Sequence, residues 1–294
     1  MTSALVTGYG FVSRHLVRAL SDRGTMVSVL EKDLSRADAP DGVEVIRSDL
    51  RYWSGPREPV DYVYHLAGIT NTAYAEANPL EAFEANVLAT ANLLDKCRPK
   101  ERLVFTSSAV VYASSTKPIP EDAPLGPVST YGATKQAAEA LIAAHARKSS
   151  YPAGIARFFN LYGPGQARAY LVPQLIAQAR EGQIRIRNPR PRRDYIFIED
   201  AVACLLKLAD SEAPVVNVGT GTGTSVGALA AQVAGVFGGV GISTGQEADS
   251  FVADSLVADI AKARAMGWEP KISLSEGLRK TMNPALYSKP LPAS

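Results

Sequence analysis

The sequence predicts an α/β fold, a Rossmann-like, doubly wound parallel sheet with helices on both faces. Two observations favour this fold. Short apolar segments typical of buried strands alternate with helical segments of amphipathic spacing as far as residue 160. The first strand also runs into a glycine-bearing turn and a helix, and the second strand ends in an acidic residue, the order found in dinucleotide-binding folds.

Length and composition are those of a globular protein. The chain has 294 residues, of which 46% are apolar, and a net charge of +2. This length suggests one large domain or two closely built ones, and the charge gives no indication of a nucleic-acid partner. Cys97 and Cys204 are too few and too far apart for a disulfide framework or a metal site. The start of the chain lacks a signal-peptide layout and the apolar tract 228–242 is interrupted, so we expect a cytoplasmic protein without a membrane segment.

The first strand–turn–helix unit carries a candidate phosphate-binding turn. An apolar strand over residues 4–6 is followed by Gly8 and Gly10, and a helical pattern covers residues 14–20. Gly8 permits a tight turn, and Gly10 lets backbone N–H groups approach a pyrophosphate. Ser13 stands at the third glycine position, so we expect the helix to lie slightly further from the strand.

The second strand, over residues 27–31, ends at Glu31, and this acid predicts the choice of cofactor. A carboxylate at this position accepts hydrogen bonds from the hydroxyls of an adenosine ribose and repels a 2′-phosphate, which favours NAD over NADP. Lys32 and Arg36 are close enough in sequence to keep NADP as an alternative. Asp49, just past a third strand, is placed to accept a hydrogen bond from the adenine amino group.

Two further strands end in small residues where a ligand would lie. The strand over residues 62–68 ends in Leu-Ala-Gly, and the strand over residues 103–106 is followed by Ser107 and Ser108. Ligands of open α/β sheets bind at the carboxyl ends of the strands. His65 is interpreted as a residue packed beneath the sheet, with a catalytic role as the alternative.

A predicted helix that begins near Ser129 carries a candidate acid–base pair. Ser129 and Thr130 are favoured N-cap residues, and an alanine-rich stretch follows. Tyr131 and Lys135 are four residues apart, so they share one face of the helix. A nearby positive charge favours a phenolate, so we expect Lys135 to lower the pKa of Tyr131 below the ordinary value of about 10.

After residue 160 the alternation is lost and an arginine-rich segment follows. The strand over residues 154–159 leads into Asn160, and a helix is predicted over residues 172–181. The next segment contains prolines and five arginines, which fits either a solvated basic loop or a stiff loop that presents guanidinium groups to phosphate oxygens. The sequence leaves these alternatives open. The arginines are Arg185, Arg187, Arg190, Arg192 and Arg193.

Stretches along nearly the whole chain resemble, in order, the motifs of the extended short-chain dehydrogenase/reductases, and among them the nucleotide-sugar epimerases and dehydratases. These stretches are residues 7–17, 107–112, 131–135, 157–164, 193–198, 217–221 and 258–270. The resemblance implies a seven-stranded Rossmann-like sheet with a small discontinuous C-terminal substrate domain. It also implies tightly bound NAD and a homodimer built on a four-helix bundle.

The resemblance further implies a role for each matching residue. The catalytic residues are Ser108, Tyr131 and Lys135. Those expected to contact NAD are Gly8, Gly10, Phe11, Val12, Glu31, Asp49, Leu50, Leu66, Ala67, Gly68, Asn86, Ser107, Tyr131, Lys135 and Phe158. Those expected to contact the substrate are Thr70, Ser108, Ala109, Tyr131, Asn160, Leu171, Val172, Arg190, Arg192 and Arg193. Residues 1–165, joined by 194–220, are expected to form the NAD-binding domain, and 166–193 with 221–294 the substrate domain.

These expectations indicate an NAD-dependent epimerase of a nucleoside-diphosphate sugar, preferably a UDP-sugar, that acts at C4 through a transient 4-keto intermediate. A reductase of 4-keto sugar nucleotides uses the same side chains and is an alternative. Dehydratases and decarboxylases carry acidic residues where this chain has Ala109 and Val110, which disfavours them. A cofactor-binding sensor without turnover is a further alternative, because the glycine turn is one residue short and a second phosphate-binding arginine is not evident near residues 245–249.

Overall fold

The computed structural model of this chain describes residues 1–33, 40–149, 151–245 and 255–283. Its main element within these residues is a seven-stranded parallel sheet, which confirms the predicted fold class. The strands of the main sheet are β1 (Ser3–Thr7), β2 (Met26–Glu31), β3 (Glu44–Arg47), β4 (Tyr62–His65), β5 (Arg102–Ser108), β6 (Ala153–Phe158) and β10 (Val215–Val218). Their spatial order is β10, β6, β5, β4, β1, β2, β3.

Helices connect the strands and cover both faces of the sheet. The described helices are α1 (Phe11–Ser21), α2 (Thr72–Ala77), α3 (Pro79–Phe83), α4 (Ala89–Lys96), α5 (Thr130–Ala146), α6 (Leu171–Arg180), α7 (Ile198–Ala209), α8 (Val226–Val236), α9 (Ala261–Ala265) and α10 (Leu274–Met282). A π-helical turn, Glu84–Leu88, joins α3 to α4.

Successive residues of the strands pack on opposite faces of the main sheet. In β1, Val6 belongs to the apolar core on one face and Leu5 to the core on the other. The same alternation occurs between Val104 and Phe105 in β5. Because α1 and α7 cover one face while α4 and α5 cover the other, both sets of side chains are buried. This arrangement explains why the inner strands of the sheet are largely apolar.

The direction in which strands are added reverses beside β1. β2 and β3 extend the sheet on one side, whereas β4, β5 and β6 extend it on the other. The loops after β1 and β4 therefore diverge and leave a crevice at the carboxyl edge of the sheet. Ligands of doubly wound folds bind at this switch point.

Beyond residue 159 the described residues form two smaller sheets that the sequence analysis did not predict. In the first, β9 (Arg192–Phe197) pairs with β7 (Asn160–Tyr162), β11 (Gly223–Ser225) and β13 (Ser255–Leu256), and in the second β8 (Gln183–Ile186) pairs with β12 (Gly241–Thr244). The arginine-rich segment is thus partly strand. Tyr195 of β9 lies opposite Asn160 of β7, which places the first of these sheets next to the end of β6.

Among the described helices, none combines the length and the apolar character needed to cross a membrane. Arg36 and all but the first residue of the segment 245–249, which the sequence analysis considered for phosphate binding, lie outside the described residues.

Candidate active site

A cleft of about 850 Å³ opens at the carboxyl edge of the main sheet. It brings together most of the residues predicted to contact a cofactor or a substrate, because the parallel strands that carry them end at the same edge. The predicted residues that line the cleft are Gly8, Gly10, Phe11, Val12, Glu31, Asp49, Leu50, Leu66, Ala67, Gly68, Thr70, Ser107, Ser108, Tyr131, Lys135, Phe158 and Asn160.

The turn after β1 opens the N-terminus of α1 toward the cleft. Gly8 has a φ of +80°, and a Cβ atom there would lie 2.9 Å from the Cα atom of Ala67, so glycine alone fits without strain. Gly10 is the N-cap of α1 and supplies no side-chain cap, and a Cβ atom there would meet nothing among the described residues within 4 Å. The hydroxyl of Ser13 donates to the Gly10 carbonyl at 3.2 Å. The first N–H groups of α1 are therefore available to an anion.

The acidic residues predicted to contact adenosine are held by neighbouring donors. The Glu31 carboxylate accepts a hydrogen bond from the Tyr9 N–H at 2.8 Å. Arg51 donates to Asp49 through Nη2 at 2.7 Å and through Nε at 3.1 Å, and it also donates to Glu84. The hydrogen bond from the Arg51 side chain lowers the pKa of Asp49. Asp49 is thus an ionised acceptor whose position depends on Arg51.

Two polar side chains fix the N-terminus of α5, which carries Tyr131. Ser129 is the N-cap, as predicted, and its hydroxyl accepts a hydrogen bond from the Gly132 N–H at 3.1 Å. Glu76 of α2 accepts from the N–H of Thr130 at 2.7 Å and from its hydroxyl at 2.8 Å. A carboxylate at a helix N-terminus also interacts favourably with the helix dipole. These contacts hold the first turn of α5 in place.

The phenol of Tyr131 lies in the cleft wall with the residue 8% exposed. Burial raises the pKa of Tyr131 to about 12, and a hydrogen bond with Ser108 opposes the rise only in part. Lys135 is not among the groups that shift this pKa in this structure, so the expectation that Lys135 lowers it stays a prediction. The reason is the position of the ammonium group, since Lys135 Nζ donates to the carbonyl of Thr106 at 2.9 Å and lies 4.7 Å from the ring centre of Phe105.

Lys135 titrates closer to neutral pH than an ordinary lysine. The residue is 2% exposed, and burial lowers the pKa of Lys135 to about 8, although the charge of Glu139 one turn further along α5 raises it. A buried lysine with such a shift, in a cleft with a tyrosine and a serine, is typical of a functional site. Ser108, Tyr131 and Lys135 therefore form a candidate acid–base set.

A buried hydrogen-bonded chain links the loop after β4 to α5. Asn86, in the π-helical turn, accepts from the Ile69 N–H at 2.8 Å and donates to the Thr134 hydroxyl at 2.9 Å. Thr134 in turn donates to the Tyr131 carbonyl at 2.9 Å. Gly68 packs against Asn86 and has a φ of +148°. A Cβ atom on residue 68 would overlap Asn86 Oδ1. Asn86, predicted to contact NAD, thus lies behind the loop and holds the cleft wall.

His65 is fully buried at the end of β4, between two threonines. Thr90 donates to the Asn86 carbonyl at 2.6 Å, so its oxygen accepts from His65 Nε2–H at 2.8 Å. Nδ1 of His65 then carries no proton and accepts from the Thr7 hydroxyl at 2.7 Å, while Thr7 accepts from the Ala67 N–H at 3.2 Å. The network thereby fixes one neutral tautomer, and His65 supports the loop instead of facing a ligand.

We expect His65 to make the protein less stable as the pH falls below about 6.5. Burial lowers the pKa of His65 from 6.5 to about 3, so between these values the unfolded chain binds a proton that the folded chain does not. This residue should then reduce the unfolding free energy by about 1.4 kcal/mol per pH unit. Urea denaturation from roughly pH 4.5 to 7.5 should give a shallower slope for His65→Gln than for the wild type.

The comparison with the variant removes other titrating groups from this test. Burial raises the pKa of Asp194, which acts in the opposite direction, but Asp194 is present in both proteins and its contribution cancels in the difference. Equal pH slopes for the two proteins would contradict the assignment of the neutral tautomer.

Comparison with known proteins decides the family. The model of the NAD dependent epimerase/dehydratase family matches residues 4–219. The UDP-glucose 4-epimerase of Bacillus subtilis is 31% identical over 324 aligned residues, which cover 92% of this chain and 93% of the relative. The chain belongs to the NAD-dependent epimerase/dehydratase family. The predicted resemblance is confirmed, and the cofactor of the family is NAD.

Two solved structures superpose closely on this chain. MoeE5 in complex with UDP-glucuronic acid and NAD gives a TM-score of 0.87 at 30% identity and covers 98% of this chain and 100% of its own. TunA, described as an NAD-dependent NDP-hexosamine 5,6-dehydratase involved in tunicamycin biosynthesis, gives a TM-score of 0.87 at 31% identity and covers 98% of both chains.

Several of the residues predicted to bind cofactor or substrate do not line the cleft. They are Asn86, Ala109, Leu171, Val172, Arg190, Arg192 and Arg193. Ala109 and Val172 are buried in the core that covers one face of the main sheet. Arg192 donates to the Gly223 carbonyl at 2.5 Å, within the small sheet. The resemblance implied these contacts, and for the residues outside the cleft they stay predictions.

The cleft is also lined by residues that the sequence analysis did not assign to the site. They are Tyr9, Ser13, Leu30, Lys32, Asp33, Ser48, Arg51, Ile69, Asn71, Tyr74, Glu81, Ala85, Ala89, Thr106, Phe159, Leu161, Gln166 and Tyr170. Many of them adjoin a predicted residue, and that adjacency was an available signal. No such signal pointed to Tyr74 and Glu81. They belong to two short helices, and the Tyr74 hydroxyl donates to the Glu81 carboxylate at 2.6 Å.

Proposed function

We propose that the chain is an NAD-dependent epimerase of a nucleoside-diphosphate sugar, preferably a UDP-sugar, acting at C4 through a transient 4-keto intermediate. The observation that carries the proposal is the convergence of Ser108, Tyr131 and Lys135 on one cleft that continues to the N-terminus of α1. The Bacillus subtilis relative, a UDP-glucose 4-epimerase, supports the reaction. MoeE5, whose complex contains UDP-glucuronic acid and NAD, supports the class of substrate.

The residues of the cleft fit NAD. The N–H groups at the start of α1 suit a pyrophosphate, and Glu31 retains lone pairs for ribose hydroxyls. Ser107 lies in the cleft wall, and its buried Oγ has no hydrogen-bond partner among the described residues. When bound, NAD supplies a hydride acceptor and, in its oxidised form, a positive charge.

Each member of the acid–base set has a distinct task in this proposal. Tyr131, as a phenolate, takes the proton of the C4 hydroxyl and returns it after the sugar has turned. Ser108 hydrogen-bonds the reacting oxygen and relays its proton. Because the pKa of Tyr131 is about 12 in this structure, phenolate formation near neutral pH needs a positive charge nearby. Lys135 supplies it when the ammonium turns from the Thr106 carbonyl toward the phenol.

Two other reactions of the family are alternatives. A reductase of 4-keto sugar nucleotides uses the same three side chains with exchangeable cofactor. TunA, a 5,6-dehydratase at 31% identity, keeps dehydration as a candidate, but Ala109 and Val110 beside Ser108 cannot transfer a proton. A sensor without turnover is disfavoured, because such a protein has no need of the complete acid–base set.

Turnover of sugar nucleotides tests the proposal. UDP-glucose, UDP-galactose and their N-acetyl and uronate forms are incubated with the purified protein without added reductant, and the epimers are resolved by chromatography. Interconversion of a pair, with NAD that survives gel filtration, supports the epimerase. Cofactor that washes out favours the reductase, and no interconversion across the panel while NAD is bound counts against the proposal.

The division into two functional parts is also a proposal. Residues 1–165 with 194–220 would bind NAD, and 166–193 with 221–294 would bind the sugar nucleotide. The glycine turn and β1 to β6 belong to the first part, and β10 returns to the same sheet. The pair β8 and β12 forms a separate small sheet made only of residues from the second part.

Arg193 is the proposed grip on the substrate diphosphate, helped by Arg190 or Arg192. Side chains alternate along a strand, so Arg193 shares a face of β9 with Tyr195. The β7 partner of Tyr195 is Asn160, which lines the cleft. This pairing two residues further along β9 supports a position of Arg193 near the substrate end of the cleft, and a guanidinium group suits phosphate oxygens on geometric grounds.

We expect Arg193→Ala to weaken sugar-nucleotide binding by about ten- to a hundredfold, since charge-assisted hydrogen bonds contribute roughly 1.5–3 kcal/mol each. NAD occupancy should be unchanged, because Gly8, Gly10 and Glu31 lie elsewhere in the cleft. Calorimetric titration with the UDP-sugar checks this, and Arg185→Ala is the matched control because Arg185 bonds Gln183 on the surface. A variant that loses NAD and retains its substrate affinity would show that the substrate site is misplaced.

A homodimer and a cytoplasmic location complete the proposal. Apolar side chains are exposed along α3, the π-helical turn and α5, namely Leu80, Phe83, Leu88 and Leu141. Two copies of this surface would form a four-helix bundle, which sedimentation equilibrium tests directly. Cys97 and Cys204 are buried free thiols, as expected of a protein from a reducing compartment.

A further inference from the structure

We propose that Arg14 positions the glycine turn for its cofactor, by holding the peptide unit between Tyr9 and Gly10 so that the N–H of this unit, and not its carbonyl, faces the bound pyrophosphate. Arg14 does not line the cleft, so it acts through Tyr9 and is a positioning residue. The inference rests on NAD, the cofactor of the family, and not on the sugar chemistry. It therefore holds or fails independently of the proposed epimerase reaction.

The glycine turn after β1 contains a peptide unit that its own backbone does not fix. The Gly8 N–H donates to the Leu30 carbonyl at 2.8 Å, and the Tyr9 N–H donates to the Glu31 carboxylate at 2.8 Å, so the two preceding peptide units are held. The next unit ends at Gly10, whose φ is −89°. Turning this unit over rotates that φ by about 180° to a positive value, which glycine adopts readily.

The orientation of this peptide unit determines whether the turn attracts or repels an anion. In a trans peptide the N–H and the carbonyl point in opposite directions. Gly10 lines the cleft, and a Cβ atom there would meet nothing among the described residues within 4 Å, so a pyrophosphate can approach closely. An N–H stabilises such a group, whereas a carbonyl in its place removes a donor and adds repulsion. The absence of a side chain at Gly10 thus gives access but also permits the unfavourable orientation.

Arg14 makes two contacts that fix the favourable orientation. Its Nε donates to the Tyr9 carbonyl at 3.3 Å, and its guanidinium carbon lies 5.0 Å from the centre of the Tyr9 ring, a cation–π contact. Tyr9 is 3% exposed and belongs to the apolar core, so its ring is a fixed support for the guanidinium group. Because the Tyr9 carbonyl is held toward Arg14, the Gly10 N–H points to the opposite side.

The first turn of α1 keeps Arg14 next to the glycine turn. The Arg14 N–H donates to the Gly10 carbonyl at 3.1 Å, and the Ser13 hydroxyl donates to the same carbonyl at 3.2 Å. The carbonyls of Tyr9 and Gly10 are therefore both engaged by residues of α1, which leaves the N–H groups of Gly10 and of the helix start for the cofactor. Because the glycine turn is one residue short, the orientation of each remaining N–H has a larger effect on pyrophosphate binding.

Two variants that both remove the charge of Arg14 isolate the effect of its hydrogen bond. In Arg14→Gln, the amide nitrogen occupies the same place along the side chain as Nε of arginine and can donate to the Tyr9 carbonyl. In Arg14→Met, a methyl group occupies that place and cannot donate. If Arg14 orients the peptide unit, Arg14→Met should lose about tenfold in NAD affinity, equivalent to about 1.4 kcal/mol, and Arg14→Gln should retain most of it.

Equilibrium dialysis against radiolabelled NAD measures these affinities on the purified proteins, and competition with ADP and adenosine locates the effect. ADP carries two linked phosphates, as NAD does, whereas adenosine has none and should need only the acceptors Glu31 and Asp49. Arg14→Met should weaken NAD and ADP by the same factor and leave adenosine unchanged. Arg18→Met is the matched control, because Arg18 is an exposed cation one turn further along α1, and this control should bind all three ligands like the wild type.

A loss confined to the phosphate-containing ligands, found in Arg14→Met and absent from Arg14→Gln, supports the inference. Equal losses in the two variants would show that the charge of Arg14 acts instead of its hydrogen bond, and wild-type affinity in Arg14→Met would show that the turn fixes itself. Either result overturns the inference. A loss of adenosine affinity as large as that of ADP also overturns it, because it indicates general damage to the fold. Absence of sugar-nucleotide turnover alongside the expected binding results would refute the proposed function alone.

Discussion

Replacing Tyr131 with phenylalanine is expected to reduce turnover by about 10²- to 10⁴-fold, the contribution of a positioned acid–base group. The substitution removes one hydroxyl and leaves the ring, which packs with Ala75 and Ala82. Burial raises the pKa of Tyr131 to about 12, so the phenol is a neutral group in this structure and its loss should not unfold α5. NAD binding should persist, because the glycine turn and Glu31 do not contact this hydroxyl.

The measurement is the rate of UDP-sugar interconversion at saturating substrate, together with NAD content by absorbance. Tyr151→Phe is a matched control, because Tyr151 is buried in the core between the sheet and helices α4 and α5 and does not line the cleft. The control should turn over like the wild type. Full activity in Tyr131→Phe would remove Tyr131 from the chemistry and leave the family assignment intact.

The main sheet was predictable because its signals are local. The inner strands are buried on both faces, so they contain continuous apolar segments, as over Leu103 to Phe105 in β5, and Gly8 is required by the turn itself. The small sheets were not predictable in this way. β9 begins with Arg192 and Arg193, and what makes it a strand is its pairing with β7 and β11, which are distant in sequence.

The residues of the candidate site were likewise easier to predict than the pKa values of their side chains. Tyr131 and Lys135 share a helix face by spacing alone, and the structure places both in the cleft. The pKa of Tyr131 depends instead on burial and on where the Lys135 ammonium points. That direction is set by the Thr106 carbonyl and the Phe105 ring, which reach α5 only through the fold. Sequence spacing carries no information about either.

Breaking the buried ion pair between Glu139 and Arg157 is expected to reduce the unfolding free energy by about 3–5 kcal/mol. Each side chain is 6% exposed, and the contact is bidentate, with Nη2–Oε2 at 2.6 Å and Nε–Oε1 at 3.0 Å. Arg157 also donates to the Tyr112 hydroxyl at 2.9 Å and to the Glu121 carbonyl at 3.0 Å. The guanidinium group therefore cannot turn to water, and in Glu139→Gln it is a buried charge without a counter-charge.

Chemical denaturation of Glu139→Gln measures this loss. The matched control is Glu276→Gln, which removes a carboxylate that is 46% exposed and lies 3.4 Å from Lys280. An exposed pair of this kind contributes about 0–1 kcal/mol. Similar losses in the two variants would show that the buried pair is solvated in solution.

A double variant, Glu139→Leu with Arg157→Met, separates the structural effect of the pair from its electrostatic effect on the site. Apolar side chains of similar volume should restore most of the lost stability, because no uncompensated charge remains. The charge of Glu139 raises the pKa of Lys135, against the burial that lowers it to about 8. Without that charge the pKa of Lys135 falls further, so the alkaline loss of activity should move to lower pH although the fold is intact. A double variant that regained both the stability and the pH profile of the wild type would limit Glu139 to packing, and Lys135 would then titrate independently of it.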